Sequence, residues 1–379
     1  MPDARDRSEL PLTVRGAPRT PAGWRLATDA CAQLDGDLLD ASGMFGLPAR
    51  AATRAASVSV LEPSAAGLEH LRATGEGAGR TEDLGTVRAG LPWDAAPAAY
   101  DAVVLAPPAE RGGTRVEAEL MAAARALRSD GAAWILLEKD RGAKRYERTA
   151  RSWFGAVSVV AKTQGYRLSR MTDPRPPSDA ELEARVWTHA ELEGIGPAWA
   201  VAGVFAGGRL DPGTALLLRT LADPPEGTAP PALDGRTVLD LGCGWGPISA
   251  WARRRGAVVT ATDDDLAAVR SCRRTVDAQP DGPAATVLHG DRDGALPHGA
   301  RYDLVLVNPP FHLGAGVRTA LGQAFVTAAA RRLAPGGEAW IVANAALPYE
   351  RRHDGPEEVR VVARSDRFKV VRLRARTHR

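Results

Sequence analysis

The chain has 379 residues, a formal net charge of +3, and 44% hydrophobic and 25% charged residues, so it reads as a globular, soluble chain long enough for two domains. No apolar run approaches the roughly 18 residues of a membrane span, and the opening Met1 to Arg7 lacks the apolar core of a signal peptide, so a cytoplasmic protein without a membrane partner is expected. Cys31, Cys243 and Cys272 are too few and too scattered for a disulfide framework or a zinc site, and no metal is expected.

In chain order, residues 1–20 form a polar, Pro-containing lead that is expected to be poorly ordered. The segment after it repeats later in the chain. Leu38 to Gly46 (Leu-Leu-Asp-Ala-Ser-Gly-Met-Phe-Gly) matches Val238 to Gly246 (Val-Leu-Asp-Leu-Gly-Cys-Gly-Trp-Gly), Val58 to Glu62 matches Val259 to Asp263, and Tyr100 to Pro108 matches Tyr302 to Pro310. Ala122 to Leu127 with Trp134 corresponds to Ala328 to Leu333 with Trp340, and Val159 to Lys162 corresponds to Val361 to Arg364. Collinear matches at a nearly constant spacing mean a duplicated domain. The copies differ where chemistry would sit: Ser42 and Met44 replace loop glycines, Ala106 replaces Asn308 and Ala109 replaces Phe311. Residues 21–172 are therefore expected to keep the fold without the site. The Pro-rich Asp173 to Ala180 reads as the start of a linker and junction over 173–200, with Trp187 and Trp199 packing at the junction, and 201–379 is the functional copy. In the first copy, Lys139, Arg141, Lys144 and Arg145 in the loop after the strand Ala132 to Leu137 are candidates for contact with RNA phosphates; a solvated basic loop is the other reading.

In the second copy, Thr237 to Leu241 reads as a strand running into a Gly-rich turn, followed by a helix from Pro247 to Arg255 with proline just inside its start. Gly242, Gly244 and Gly246 alternate with Cys243 and Trp245, which is not the dinucleotide spacing, and let the backbone approach a ligand that need not carry phosphate. Asp240 could receive a ligand ammonium, or serve as a cap. A second strand ends at Asp263, where such sheets hold the two hydroxyls of a ribose; Asp264 and Asp265 cap the next helix. A third strand, Ala285 to His289, leads to Asp291, placed to accept from an adenine amine. Acceptors for an ammonium, a ribose and an adenine, in chain order, match the three polar regions of S-adenosylmethionine.

The stretch Tyr302 to His312 (Tyr-Asp-Leu-Val-Leu-Val-Asn-Pro-Pro-Phe-His) is a buried parallel strand stopped by proline. Its turn sits at the ligand-binding edge of an open α/β sheet. A planar exocyclic amine can donate its two N–H groups to the Asn308 side-chain oxygen and the Pro309 carbonyl, with Pro310 holding the turn rigid and Phe311 stacking on the ring. Beyond it, the stretch from Arg360 to Arg379 sets many Lys and Arg against the single Asp366.

These motifs resemble those of the class I S-adenosylmethionine-dependent methyltransferases. Within them, the chain is similar to the bacterial ribosomal RNA guanine-N2 methyltransferases built of two tandem Rossmann-like methyltransferase domains, the N-terminal one degenerate. The resemblance also covers Phe205 to Thr214, Ile341 to Tyr349 and Arg367 to Val370, and departs at Pro230-Pro231 and over Arg351 to Glu358. It implies an α/β fold, a ribosomal RNA or ribosomal subunit as partner, a monomer, Asp211 and Thr214 closing the cofactor pocket, and Asn308 to Phe311 holding the base. The turn alone leaves adenine or a protein glutamine amide open as target. A non-catalytic RNA-binding assembly factor fits the first copy better than the second.

Overall fold

Short apolar runs alternate with helical stretches twice along the chain, and each series builds its own seven-stranded sheet. The computed structural model describes residues 21–41, 54–77, 86–226, 231–310, 315–349 and 358–377, with backbone alone at 21, 22, 24, 28, 31, 74–77 and 315–320. The lead of residues 1–20, Ser42 and Met44, Pro230, Phe311 and His312, and residues 351–357 lie outside the described residues. The chain divides into two units, Met1–Thr188 and His189–Arg379.

In the first unit, β1 (Asp37–Asp40), β2 (Ser57–Glu62), β3 (Val87–Ala89), β4 (Tyr100–Leu105), β5 (Leu127–Glu138), β6 (Phe154–Thr163) and β7 (Tyr166–Pro174) lie in the order β3-β2-β1-β4-β5-β7-β6. All pairs are parallel except those of β7, which runs antiparallel to β5 and β6. Its helices are α1 (Pro21–Cys31), α2 (Ala65–Gly77), α3 (Gly113–Ala126), α4 (Ala143–Thr149) and α5 (Asp179–Val186). The second unit opens within strand β8 (Trp187–Leu192), which pairs with β9 (Gly196–Val201). It continues through α6 (Pro212–Ala222), β10 (Thr237–Leu241), α7 (Pro247–Arg253), β11 (Val258–Asp263), α8 (Leu266–Asp277), β12 (Thr286–His289), β13 (Tyr302–Val307), α9 (Ala315–Arg331), β14 (Leu333–Asn344), β15 (Glu358–Arg364) and β16 (Phe368–Arg374). Its sheet order, β12-β11-β10-β13-β14-β16-β15, repeats that of the first unit strand for strand.

The repetition extends to irregularities. The register slips between Tyr100 and Ala102 and again between Tyr302 and Leu304, and between Val159 and Ala161 and again between Val361 and Ala363. Asp101 accepts the Asp37 N–H at 2.7 Å and Asp303 accepts the Thr237 N–H at 2.9 Å. Arg170 lies over Trp134 as Arg372 lies over Trp340. Each sheet is buried on both faces, which is why its central strands read as apolar runs. Val305, Leu306 and Val307 are wholly buried, each side chain contributing about 1.5–3 kcal/mol. Val305 and Val307 pack with Phe325 of α9 and with Tyr349.

The expected linker over 173–200 is divided between the units. Ser178 caps α5 with a capping box, and α5 is pinned to α3 by Arg125–Asp179 at 2.8 Å and Arg185–Glu117 at 2.9 Å. β9 packs on α8, with the Trp199 and Val201 N–H groups donating to Thr275 Oγ1 and Ser271 Oγ, both at 2.9 Å. The prolines from Pro174 onward end strand β7, and the division between the units falls further on, between Thr188 and His189. Trp199 is held within its own unit, between the His189 ring at 4.6 Å and the Arg274 guanidinium at 3.9 Å. Trp187 stands at the start of β8.

Candidate active site

The strand order of the second unit reverses between β10 and β13, and in such sheets the crevice at the carboxyl ends beside that reversal receives the ligand. The loop after β10 enters it through backbone of unusual hand: φ is +83° at Gly242, +55° at Gly244 and +90° at Gly246. The N–H groups of Gly242 and Cys243 both donate to the Thr262 carbonyl at 2.9 Å, folding the loop against the end of β11. A Cβ at Gly246 would stand 2.9 Å from the Cys272 backbone, whereas one at Gly244 would meet none of the described residues within 4 Å. Among the described residues the loop is thus tightly packed at Gly246 and open at Gly244, where the amino-acid end of a cofactor is expected.

Asp263, half-buried at the end of β11, receives the Gly244 N–H on Oδ2 and the Asp265 N–H on Oδ1, each at 2.9 Å. Asp265 caps α8 by accepting from Ala267. The Gly290 N–H donates to the Asp263 carbonyl at 3.0 Å, tying the ends of β11 and β12 together just before the half-buried Asp291. The Asp291 carboxylate pairs with Arg292 at 2.7 Å. Each carboxylate oxygen can accept two hydrogen bonds, so these contacts are compatible with ribose and adenine donors, and the residues present fit the cofactor.

Asp240 lies in the interior. It is wholly buried, and its Oδ2 accepts from Ser249 Oγ of α7 at 2.6 Å. Burial, reinforced by the nearby Asp263 charge, pushes its carboxyl up to about 7. The Ser249 bond ties the end of β10 to α7 beneath the glycine loop. Cys272 Sγ lies 3.7 Å from Ser249 Oγ, and the contact with Cys272, followed by burial, raises the Cys243 thiol.

At the end of β13, the Asn308 side chain is half-buried above the buried Pro309 and half-buried Pro310. Its Nδ2 donates to Asp211 Oδ2 at 3.1 Å and to Thr214 Oγ1 at 2.8 Å. Asp211 Oδ2 also accepts the Thr214 N–H at 2.9 Å, capping α6. Asp211 and Thr214, expected to help close the cofactor pocket, are joined to the amide of the turn. A carboxylate only accepts, so the amide is oriented with nitrogen inward. Both Nδ2 hydrogens are then used, and the remaining hydrogen-bonding atom is Oδ1. Phe311, the expected stacking platform, lies outside the described residues.

In the first unit, the same positions are filled differently. Ala106 stands where Asn308 does, and the strand pairings Glu62–Ala89 and Asp263–His289 put the buried Leu91 at the position of Asp291. Glu62, matching Asp263, is wholly buried and accepts the Ser64 N–H at 2.7 Å. Phe325 supports the glycine loop, 3.0 Å from where a Gly242 Cβ would be. Carrying the Ala122–Ala328 match along the helix puts Arg115 and Glu119 where Leu321 and Phe325 stand, and those two form a buried ion pair at 2.5 Å. Phe325 and Ser249 were missed in the sequence; the repeat itself, extended into α9, would have marked Phe325.

The expected basic loop of Lys139, Arg141, Lys144 and Arg145 is a 3-10 turn, Lys139–Arg141, followed by α4. Lys139 Nζ donates to the Thr163 carbonyl at 2.6 Å, and Arg141 pairs with Glu138 at 2.9 Å. Lys144 and Arg145 are exposed.

The family model described as methyltransferase small domain matches residues 29–170 and again 197–372. The ribosomal RNA small subunit methyltransferase C of Hahella chejuensis is 33% identical over 283 residues, covering 73% of this chain and 78% of that protein. The protein of the same name from Pseudomonas paraeruginosa is 31% identical over 268 residues, covering 69% and 76%. A solved structure titled as the T. thermophilus 16S rRNA N2 G1207 methyltransferase (RsmC) in complex with AdoMet and guanosine superposes with a TM-score of 0.79 at 34% identity, covering 94% of this chain and 92% of that one. With both sheets in the class I methyltransferase order and the family model matched once in each unit, the chain belongs to the methyltransferase small domain family.

Proposed function

We infer that this chain transfers a methyl group from S-adenosylmethionine to the exocyclic N2 amine of a guanine in small-subunit ribosomal RNA, as a cytoplasmic monomer that meets the RNA or the ribosomal subunit. The observation that carries this is the Asn308 amide, whose nitrogen is engaged by Asp211 and Thr214 and whose oxygen is left to accept from an amine. The relatives named for small-subunit ribosomal RNA and the solved relative holding AdoMet and guanosine support guanine over adenine or a glutamine amide. No helix among the described residues is long and apolar enough to cross a membrane.

When bound, S-adenosylmethionine supplies a methyl already activated on a sulfonium. The protein's task is then mostly placement, and orientation of this kind is worth about 7–11 kcal/mol. Gly244 leaves space for the amino-acid end, Asp263 would receive the ribose hydroxyls, and Asp291 would accept from the adenine amine. Asn308 Oδ1 and the Pro309 carbonyl would accept the two N–H groups of the target amine. Its lone pair is otherwise delocalised into the ring; two acceptors favour a more nucleophilic nitrogen and stabilise the positive charge that develops on it. One N–H proton then passes to solvent, and no dedicated base is required. A base held in folded RNA must be splayed out to reach this pocket. Mass spectrometry of ribosomal RNA from cells with and without the gene tests the reading. Loss of one N2-methylguanosine from the small-subunit RNA is expected, and an unchanged modification pattern would contradict it.

A further inference from the structure

We propose that Asp211 and Thr214 are positioning residues for the target amine, acting through Asn308, and that they make the site select a hydrogen-bond donor over an acceptor. An asparagine amide can turn over at little cost, exchanging its donor and acceptor ends. Here the two hydrogens of Nδ2 meet a carboxylate oxygen at 3.1 Å and a hydroxyl oxygen at 2.8 Å. Flipping would bring Oδ1 against the Asp211 carboxylate, oxygen against oxygen with no proton between them, so the charge on Asp211 holds one orientation. In that orientation the amide presents Oδ1, which welcomes an amine and repels a ring carbonyl.

The helix that carries the pair is itself fixed. Asp211 caps α6 through the Thr214 N–H, and a Cβ on Gly213 would come within 3.3 Å of the Phe368 ring on β16. The cap, the hydroxyl and the amide therefore form one rigid set spanning 97 residues of chain. The first unit offers an internal comparison. Its α1 packs on β5, β6 and β7 as α6 packs on β14, β15 and β16, and both helices begin with proline. Two residues after that proline, Gly23 stands where Thr214 does, and Ala106 stands where Asn308 does. Amide and hydroxyl are absent together, as expected if the hydroxyl serves the amide. A hydroxyl that served only the helix would have no reason to go with it.

This inference rests on the amine-methylation reading, and the test separates the two. Asp211→Ser retains a capping side chain but removes the charge that fixes the amide orientation. Thr214→Val keeps the shape and removes the acceptor, and Thr214→Ser restores it. Steady-state methylation of small-subunit RNA and calorimetric titration of S-adenosylmethionine are measured for each. The expected result is a kcat at least tenfold lower for Asp211→Ser and Thr214→Val, with cofactor affinity within twofold of wild type and Thr214→Ser close to wild-type kcat. If Asp211→Ser loosens the helix, seen as a lower melting temperature, Thr214→Val against Thr214→Ser decides alone. Wild-type kcat in Thr214→Val, or a cofactor affinity that falls in step with the rate, would overturn the positioning role. Failure of the wild-type chain to form N2-methylguanosine would instead overturn the function on which it rests.

Discussion

The backbone N–H of Gly244 donates to the Asp263 carboxylate at 2.9 Å, so the residue expected at the ribose also fixes the glycine loop expected at the amino-acid end. Two parts of the expected cofactor site share a single side chain. Removing it should therefore cost more than its ligand contacts.

Asp263→Ala should weaken S-adenosylmethionine binding by two or more orders of magnitude. It removes charge-assisted hydrogen bonds of about 1.5–3 kcal/mol each and leaves the Gly244 and Asp265 N–H groups without that acceptor. Glu62→Ala, at the matching and wholly buried position of the first unit, should leave cofactor affinity unchanged. Calorimetric titration in which the Glu62 change weakens binding as much would contradict the division into a working and a silent copy.

The buried Asp240 should give the protein a specific pH dependence. Its carboxyl is raised to about 7 from an ordinary value of 3.8, so the folded state holds a proton that the unfolded chain releases. Stability from this group is complete below about pH 4 and falls as pH rises towards 7, by about 4 kcal/mol in all, after which it is constant. Asp240→Asn should remove that slope. Denaturant unfolding of the two proteins from pH 4 to pH 8 would refute it if the curves ran parallel.

In the first unit, Arg115 lies over the Trp93 ring at 4.9 Å and pairs with Glu119 at 2.5 Å, both side chains buried. Burial raises the Glu119 carboxyl against the opposing pull of Arg115. Arg115→Met should destabilise the first unit by about 3–5 kcal/mol, because it leaves a buried acid unpaired. The double change Arg115→Leu with Glu119→Phe copies Leu321 and Phe325 and should recover most of that stability. Equal destabilisation of single and double variants would argue that the pair is not what the apolar residues replace.

Lys139 is exposed but engaged by the Thr163 carbonyl, and Lys144 and Arg145 are the other exposed members of the basic group. If they bind phosphates, reversing both to Glu should raise the KM for RNA and lower the salt slope of binding by about 0.7–0.9 for each phosphate they neutralise, with cofactor affinity unmoved. An unchanged slope would assign RNA binding to other surfaces.

Much of this site was legible because its signals are local. The apolar run before Asn308 and the prolines after it announce a buried strand and its end, and alternate glycines announce a loop of positive φ, which Gly242, Gly244 and Gly246 adopt. Burial and long-range pairing were not legible. Asp240 sits at a strand end like Asp263, and only the packing of α7 and Ser249 over it makes it an interior group. The Asn308 to Asp211 bond joins residues far apart in sequence, and no periodicity connects them. Arg115 and Glu119 have an ordinary surface-helix spacing, yet they lie inside. The Pro-rich segment after Asp173 suggested a linker because proline ends pairing; it ends strand β7, and α5 follows before the division at Thr188.

The most direct test of the central claim uses the purified chain, small-subunit ribosomal RNA or subunits lacking the modification, and methyl-labelled S-adenosylmethionine, followed by digestion to nucleosides. The wild-type chain should place label in N2-methylguanosine, and Asn308→Ala should lose most of it while still binding the cofactor. Label in N6-methyladenosine or in protein glutamine, or near-wild-type transfer by Asn308→Ala, would contradict the account.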